Sequence, residues 1–311
     1  MTNALRDTGV DPEALQRYID EQIYTVPGTG RHREEFSILL TGSRAIGMAG
    51  PESDVDIDVV CPREVYDSVL RACYEAGIIK AQRSFLCVLQ GDDWDRYYGE
   101  QMGRPHFSLT PLDRVEDQFR EYEDVSLWIW TNAKIITDPG NQFGRIVDSF
   151  RGYPRDVLVT KAKYHWLQAA YASITLDPGH PRDEDLLAAA AAALTTVNEL
   201  LRFFFVVEGK PFPYAKWLMP GARLTTLGKE FCSLLQRAVD LVTGKESAED
   251  SVWQRRDGAM ALLLSPGSPE ACRLEEACQK AMLAAGVDPQ WVEADYANID
   301  ELLSGDLGPA P

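Results

Sequence analysis

Basic side chains are scarce in this chain: 31 Lys and Arg stand against 48 Asp and Glu, a formal charge of −17. Such a surface repels phosphate backbones, and no basic cluster offsets it, so a long nucleic-acid partner is disfavoured. A small cationic acceptor is compatible with it. Long hydrophobic runs are missing too. The longest, Leu186 to Leu194, is too short to cross a bilayer, and Glu199 and Arg202 soon follow in the same helical pattern. It reads as a buried helix, and no membrane partner is expected. The opening residues, MTNALRDTGVDPEAL, lack the basic-then-apolar order of a secretory signal, which points to the cytoplasm. Cysteines number six and form no C-x-x-C pair. Cys272 and Cys278 come nearest, with no histidine beside them, so the thiols read as reduced core residues rather than disulfides or zinc ligands.

What is present is ordinary globular material. The chain has 311 residues, 45% hydrophobic and 25% charged, enough for two domains with normal cores. Asp11-Pro12 opens a helix through about Ile23. Phe36 to Leu40 reads as a buried strand, and Asp54 to Val60 as a strand with one wet and one dry face. Pro62 begins a helix that Gly77 stops. Ser84 to Leu89, His106 to Thr110 and Lys134 to Ile136 are further expected strands, and Val115 to Trp130 has helical spacing. From Arg155 the pattern changes to long helical segments at 156–176, 183–207 and 224–242, broken by Pro/Gly clusters. The boundary is expected near Pro154, giving domains 1–150 and 151–311, the second all-helical. The acidic C-terminal stretch ends in Gly308-Pro309-Ala310-Pro311, a tip expected to be mobile.

The chemistry concentrates in Thr41-Gly42-Ser43-Arg44-Ala45-Ile46-Gly47 and, after ten residues intervening from Ser43, Asp54-Val55-Asp56-Ile57-Asp58. Side chains alternate along a strand, so Asp54, Asp56 and Asp58 share one face, successive members roughly 6–7 Å apart. Like charges this close repel, and Asp is a poor strand former. A strand that tolerates them is expected to hold a cation, and hard carboxylate oxygens favour Mg²⁺ completed by substrate phosphates. The turn before it supplies the other half. Gly42 lets a phosphate approach the backbone, Ser43 adds a hydroxyl, the start of the following helix offers N–H groups, and Arg44 is a candidate charge partner. A triphosphate could bridge from this turn to a metal on the next strand. Asp58 is read either as an assistant to the metal site or as a residue at the solvent end.

These residues resemble the signature of the DNA polymerase beta-like nucleotidyltransferases. GSRAIG followed by SDVDIDVV looks like the small bacterial members, which include kanamycin and lincosamide nucleotidyltransferases. The resemblance implies an α+β fold, a small mixed sheet flanked by helices, followed here by an all-helical domain that binds the acceptor. It implies that Gly42 and Ser43 hold the triphosphate and that Asp54 and Asp56 bind Mg²⁺. The family also uses a third carboxylate, usually on a neighbouring strand. The corresponding strand here, Pro105 to Pro111, presents His106, Ser108 and Thr110 and no acid. Asp113, Asp93 or Asp95 could fill the role, His106 could act as base, or the site could be catalytically weakened.

In the helical domain, Lys161, Tyr164, His165 and Gln168 fall on one helical stripe, which either lines a cleft or packs. The segment Glu199 to Phe205 followed by Lys210-Pro211-Phe212-Pro213-Tyr214-Ala215-Lys216 is similar to a helix-plus-loop in bacterial nucleotidyltransferases that append a helical domain. Lys216 could there reach phosphate or acceptor. The sequence thus points to transfer of a nucleoside monophosphate, AMP from ATP, to a hydroxyl of a small molecule. Transfer to a protein or tRNA, and nucleotide binding without turnover, are the alternatives.

Overall fold

A computed structural model describes residues 5, 8–50, 53–79, 86–88, 105–174, 186–245 and 252–304. The chain divides into two compact units, Met1–Arg151 and Gly152–Pro311. The expected candidates Asp93 and Asp95, and the C-terminal tip, lie outside the described residues.

In the first unit, helix α1 (Pro12–Tyr18) begins where the Asp11 carboxylate accepts the amides of Glu13 and Ala14 at 3.2 and 3.3 Å. It passes into a π-helical turn, Ile19–Ile23. A 3₁₀ helix, Gly30–Glu35, leads to strand β1 (Ser37–Thr41), the short helix α2 (Gly42–Ala45) and β2 (Val55–Cys61). Then come α3 (Arg63–Glu75), β3 (Leu86–Val88), β4 (Pro105–Pro111), α4 (Leu112–Arg120), α5 (Asp124–Asn132), β5 (Lys134–Thr137) and α6 (Gln142–Ser149). The single helix expected over Val115 to Trp130 is in fact two. Tyr122 takes a left-handed conformation, φ 55°, between α4 and α5, and nothing in Glu121-Tyr122-Glu123 signals it.

The strands form one mixed sheet in the order β3-β4-β2-β1-β5. β1 runs antiparallel to β2 and β5, β3 antiparallel to β4, and β4 parallel to β2. Val55, Ile57 and Val59 face a core with Ile38, Leu40, Phe107, Leu109 and the apolar sides of α1 and α3, including Leu15, Tyr18, Val65 and Val69. This core fixes the register. Slipping β2 by one residue would turn Asp56 and Asp58 into apolar surroundings, where an unpaired carboxylate costs several kcal/mol. The acids therefore stay on the other face.

The second unit has only helices and connecting turns among its described residues: α7 (Arg155–Ile174), α8 (Leu186–Val206), α9 (Ala215–Ala222), α10 (Thr226–Val242), α11 (Val252–Leu264), α12 (Pro269–Ala285), α13 (Pro289–Ala294) and α14 (Ile299–Ser304), with a 3₁₀ turn before the last. Small residues let α7 and α8 approach, and the Thr196 hydroxyl of α8 donates to the Ala169 carbonyl of α7 at 2.9 Å. Trp166 and Phe203 meet across the same contact. No described helix is long and apolar enough to cross a membrane. Cys61, Cys73, Cys232 and Cys278 are buried free thiols and Cys272 is a partly buried one. Burial pushes the Cys61 thiol up to about 12 and that of Cys232 up to about 11. They are inert core residues at neutral pH.

Candidate active site

Three strand segments meet at one rim of the sheet. Thr41, the last residue of β1, pairs with Asp56 of β2, and Asp56 pairs with His106 of β4. Directly after Thr41 the chain turns at Gly42 with φ 66°, a conformation that side-chain-bearing residues rarely adopt. A Cβ added to Gly42 would stand 1.9 Å from Asp56 Oδ2. The Asp56 carboxylate therefore packs against the bare glycine backbone, and the corner and the acid are immediate neighbours.

On its other side Asp56 meets histidine. His106 Nε2 lies 2.7 Å from Asp56 Oδ1. An ionised carboxylate only accepts, so the imidazole presents N–H at this nitrogen. Asp54 is exposed and sits just before β2, two residues from Asp56. Its backbone, not its carboxylate, is held: Arg44 Nε donates to the Asp54 carbonyl at 3.2 Å and Arg44 Nη2 to the Ser53 carbonyl at 2.8 Å. Arg44, expected as a phosphate partner, thus braces the loop ahead of β2 against the corner. Ser43 is buried, and its carbonyl accepts the Met48 amide at 2.9 Å, closing the turn.

Asp58 is not at a solvent end. Thr41 Oγ1 donates to its Oδ2 at 2.8 Å, and Ser108 Oγ donates to its Oδ1. Burial pushes the Asp58 pKa above the usual carboxylate range, although both hydroxyl donors act to lower it. Asp113 stands elsewhere. It follows Pro111 at the far end of β4, roughly 17 Å of strand from His106 at about 3.4 Å per residue. There it receives Arg63 in a bidentate pair, both contacts 2.9 Å. That pairing holds its pKa below the ordinary value. Asp113 is therefore removed from the role of third carboxylate by distance and by its partner.

The donor set suits a hard divalent cation. Asp54 and Asp56 stand two residues apart, and Asp56 is already oriented by His106. Among the described residues no group of three or more His, Cys, Asp or Glu side chains is arranged to hold an ion by itself. A cation here would be held by two carboxylates and completed by phosphate oxygens, the usual arrangement for Mg²⁺ in phosphoryl chemistry.

The remaining predicted residues lie in the second unit. Lys161 is buried, 2% exposed, with its ammonium 5.5 Å from the Tyr153 ring centre. Lys216 is exposed, 5.1 Å from the Trp217 ring centre. The stripe around Lys161 is not an open face. His165 is buried with Nδ1 2.6 Å from Glu199 Oε2, and Arg202 Nη1 donates to Glu199 Oε1 at 2.5 Å. Phe212 and Tyr164 pack edge-on against the His165 ring. Sequence reading had His165 and Glu199 as members of separate segments. The signal that could have joined them was a carboxylate inside an otherwise apolar helix, which burial obliges to find a partner.

Residues 31–95 match the family model described as a nucleotidyltransferase domain, and residues 119–218 match a domain of unknown function, DUF4037. A solved nucleotidyltransferase-like protein from Exiguobacterium sibiricum 255-15 aligns with a TM-score of 0.39 and 11% identity, covering 88% of this chain and 77% of that one. No curated protein matches the chain.

Proposed function

We propose, for a chain that is a nucleotidyltransferase by its domain family, that it moves AMP from ATP to a hydroxyl of a small, cationic acceptor. In that reaction the acceptor oxygen forms a bond to the α-phosphorus, the bond from that phosphorus to the β-bridging oxygen breaks, and pyrophosphate leaves. The observation that carries the reading is the contact between Gly42 and Asp56. It brings a corner able to receive phosphate against the carboxylate that would meet the metal on those same phosphates.

Asp54 and Asp56 are the proposed Mg²⁺ ligands, and the ion when bound supplies charge neutralisation on the triphosphate. Gly42 leaves its backbone open to the β and γ phosphates, and Ser43 stands with it at the turn. Arg44 keeps Asp54 at the corner through the loop carbonyls it binds. His106 fixes Asp56 and, in place of the acid absent from β4, takes the proton of the acceptor hydroxyl. Lys161 and Lys216 are proposed only as residues of the acceptor-binding helical region, residues 151–311. Lys216, being exposed, is the better placed for contact.

The charge of −17 supports a cationic acceptor such as an aminoglycoside-like antibiotic. Incubation with α-labelled ATP, Mg²⁺ and a panel of polyamine and aminoglycoside acceptors tests this. Labelled small-molecule product and pyrophosphate are expected, and both should vanish in Asp56→Ala. Label found only on protein or RNA after incubation with lysate would overturn the small-molecule acceptor.

A further inference from the structure

We propose that Asp58 is a positioning residue that clamps the Gly42 corner and His106 into register around Asp56. The proposal rests on the nucleotide-site reading above, but it concerns a carboxylate to which that reading gives no task.

Asp58 is bonded to both neighbouring strands at once. Its Oδ2 accepts Thr41 Oγ1 from β1 at 2.8 Å, and its Oδ1 accepts Ser108 Oγ from β4. Each donor sits beside a working residue. Thr41 immediately precedes Gly42, and Ser108 is two residues beyond His106 on the same face of β4. Both hydroxyl residues are buried, 4% and 9% exposed. Along the strands, Asp58 stands opposite Leu39 and Ser108, while Asp56 stands opposite Thr41 and His106. The bond to Thr41 therefore runs diagonally across β1 and β2. A diagonal tie resists sliding of one strand past the other, which perpendicular ladder bonds oppose less well. It pulls the end of β1 toward the strand bearing Asp56, and the Ser108 bond does the same for β4. Two buried hydroxyls share a single carboxylate, so its loss takes the carboxylate acceptor from Ser108 and leaves Thr41 only its longer contact to the Asp56 carbonyl, 3.4 Å.

A residue in the chemistry and a residue that positions it differ in one respect. An amide can replace the carboxylate only in the second case. In Asp58→Asn the amide oxygen still accepts from Ser108, and the amide N–H₂ donates to the Thr41 hydroxyl, which can turn to accept. Asp58→Ala keeps neither bond.

The test measures two things on the full chain: amide hydrogen exchange by mass spectrometry, and affinity for a non-hydrolysable ATP analogue with Mg²⁺ by calorimetry. Asp58→Ala is expected to speed exchange of the 42–46 amides about tenfold while α3 amides stay as in the wild type. It is expected to weaken the analogue by roughly tenfold or more, as small displacements in such sites do. Asp58→Asn should stay within about threefold of the wild type in both. Unchanged exchange and affinity in Asp58→Ala would overturn the proposal. So would an Asp58→Asn variant as impaired as Asp58→Ala, since the carboxylate itself would then be required. If Asp58→Ala does not fold, Thr41→Val and Ser108→Ala each cut one tie. Faster exchange at the corner in Thr41→Val supports the clamp, and unaltered exchange in both variants refutes it. A wild-type protein that fails to bind the analogue sinks the nucleotide-site reading, while the exchange measurement still decides the role of Asp58.

Discussion

Gly42 and Asp56 occupy space that only a glycine can share: a methyl group at residue 42 would lie 1.9 Å from the Asp56 Oδ2 atom. The positive φ of 66° adds a second demand, since left-handed backbone costs an L-residue about 1–2 kcal/mol. Gly42→Ala is thus expected to push the carboxylate away from the corner rather than to unfold the sheet. Affinity for a Mg²⁺–ATP analogue should fall at least tenfold while the melting temperature drops by only a few degrees. Affinity within twofold of the wild type would remove the corner from the nucleotide site.

His106 is proposed to do two jobs, and substitutions separate them. Outer partners of metal-binding groups typically matter by about 10–100-fold, so His106→Ala should weaken cation-dependent nucleotide binding to that extent. His106→Gln keeps an N–H donor for Asp56 and should restore much of the binding, yet it cannot take a proton and should remain poor in transfer. A glutamine variant with wild-type turnover would leave His106 as an orienting residue only.

The Arg63–Asp113 pair is roughly half exposed on both sides, so its worth is small, under about 1 kcal/mol. Its pH dependence still has a definite direction. Pairing with Arg63 holds the folded pKa of Asp113 below the ordinary carboxylate value, so the pair stabilises the protein above that ordinary value and the benefit fades as pH falls through the lowered one. Asp113→Asn should melt slightly lower than the wild type at pH 7, and the gap should close in strongly acidic buffer. Nucleotide transfer should be unaffected. Transfer lost in Asp113→Asn would return this residue to the catalytic account.

Glu199 stands between His165 and Arg202 in a nearly dry part of the helical unit. Removing one partner of a buried charged network costs about 3–5 kcal/mol. Glu199→Ala is expected to lower the melting temperature by roughly 10 °C, read by calorimetry. A shift below about 2 °C would show that the contact carries little of the unit's stability.

Much of the fold was legible because it depends on local patterns. The apolar run ending at Gly42 and the alternation of Asp with Val and Ile gave two strands, and His106 to Thr110 gave a third, which pairs with β2. The mixed sheet followed by helices is the architecture observed. What was not legible depended on distant partners or on backbone choices without a residue signal. The break at Tyr122 needs a left-handed residue where neither Gly nor Asn stands. The hold of Arg44 on the carbonyls of Ser53 and Asp54 depends on the path of a loop. The 50-residue separation of Arg63 from Asp113 hides their pairing from any local window. Spacing placed Asp56, His106 and Ser108 on shared faces, but it could not say that Asp56 pairs with the imidazole while Asp58 pairs with the hydroxyl.

Strand direction has a practical corollary. β2 and β4 start at the rim where β1 ends, so Gly42, Asp56 and His106 stand together at that rim. The opposite rim, where Cys61 and Pro111 hand over to helices, carries the solvent-facing Arg63 and Asp113. A dye or surface linker attached there would sit a full strand length from the Gly42 corner proposed to receive phosphate. Such a handle would leave the proposed nucleotide edge of the sheet untouched.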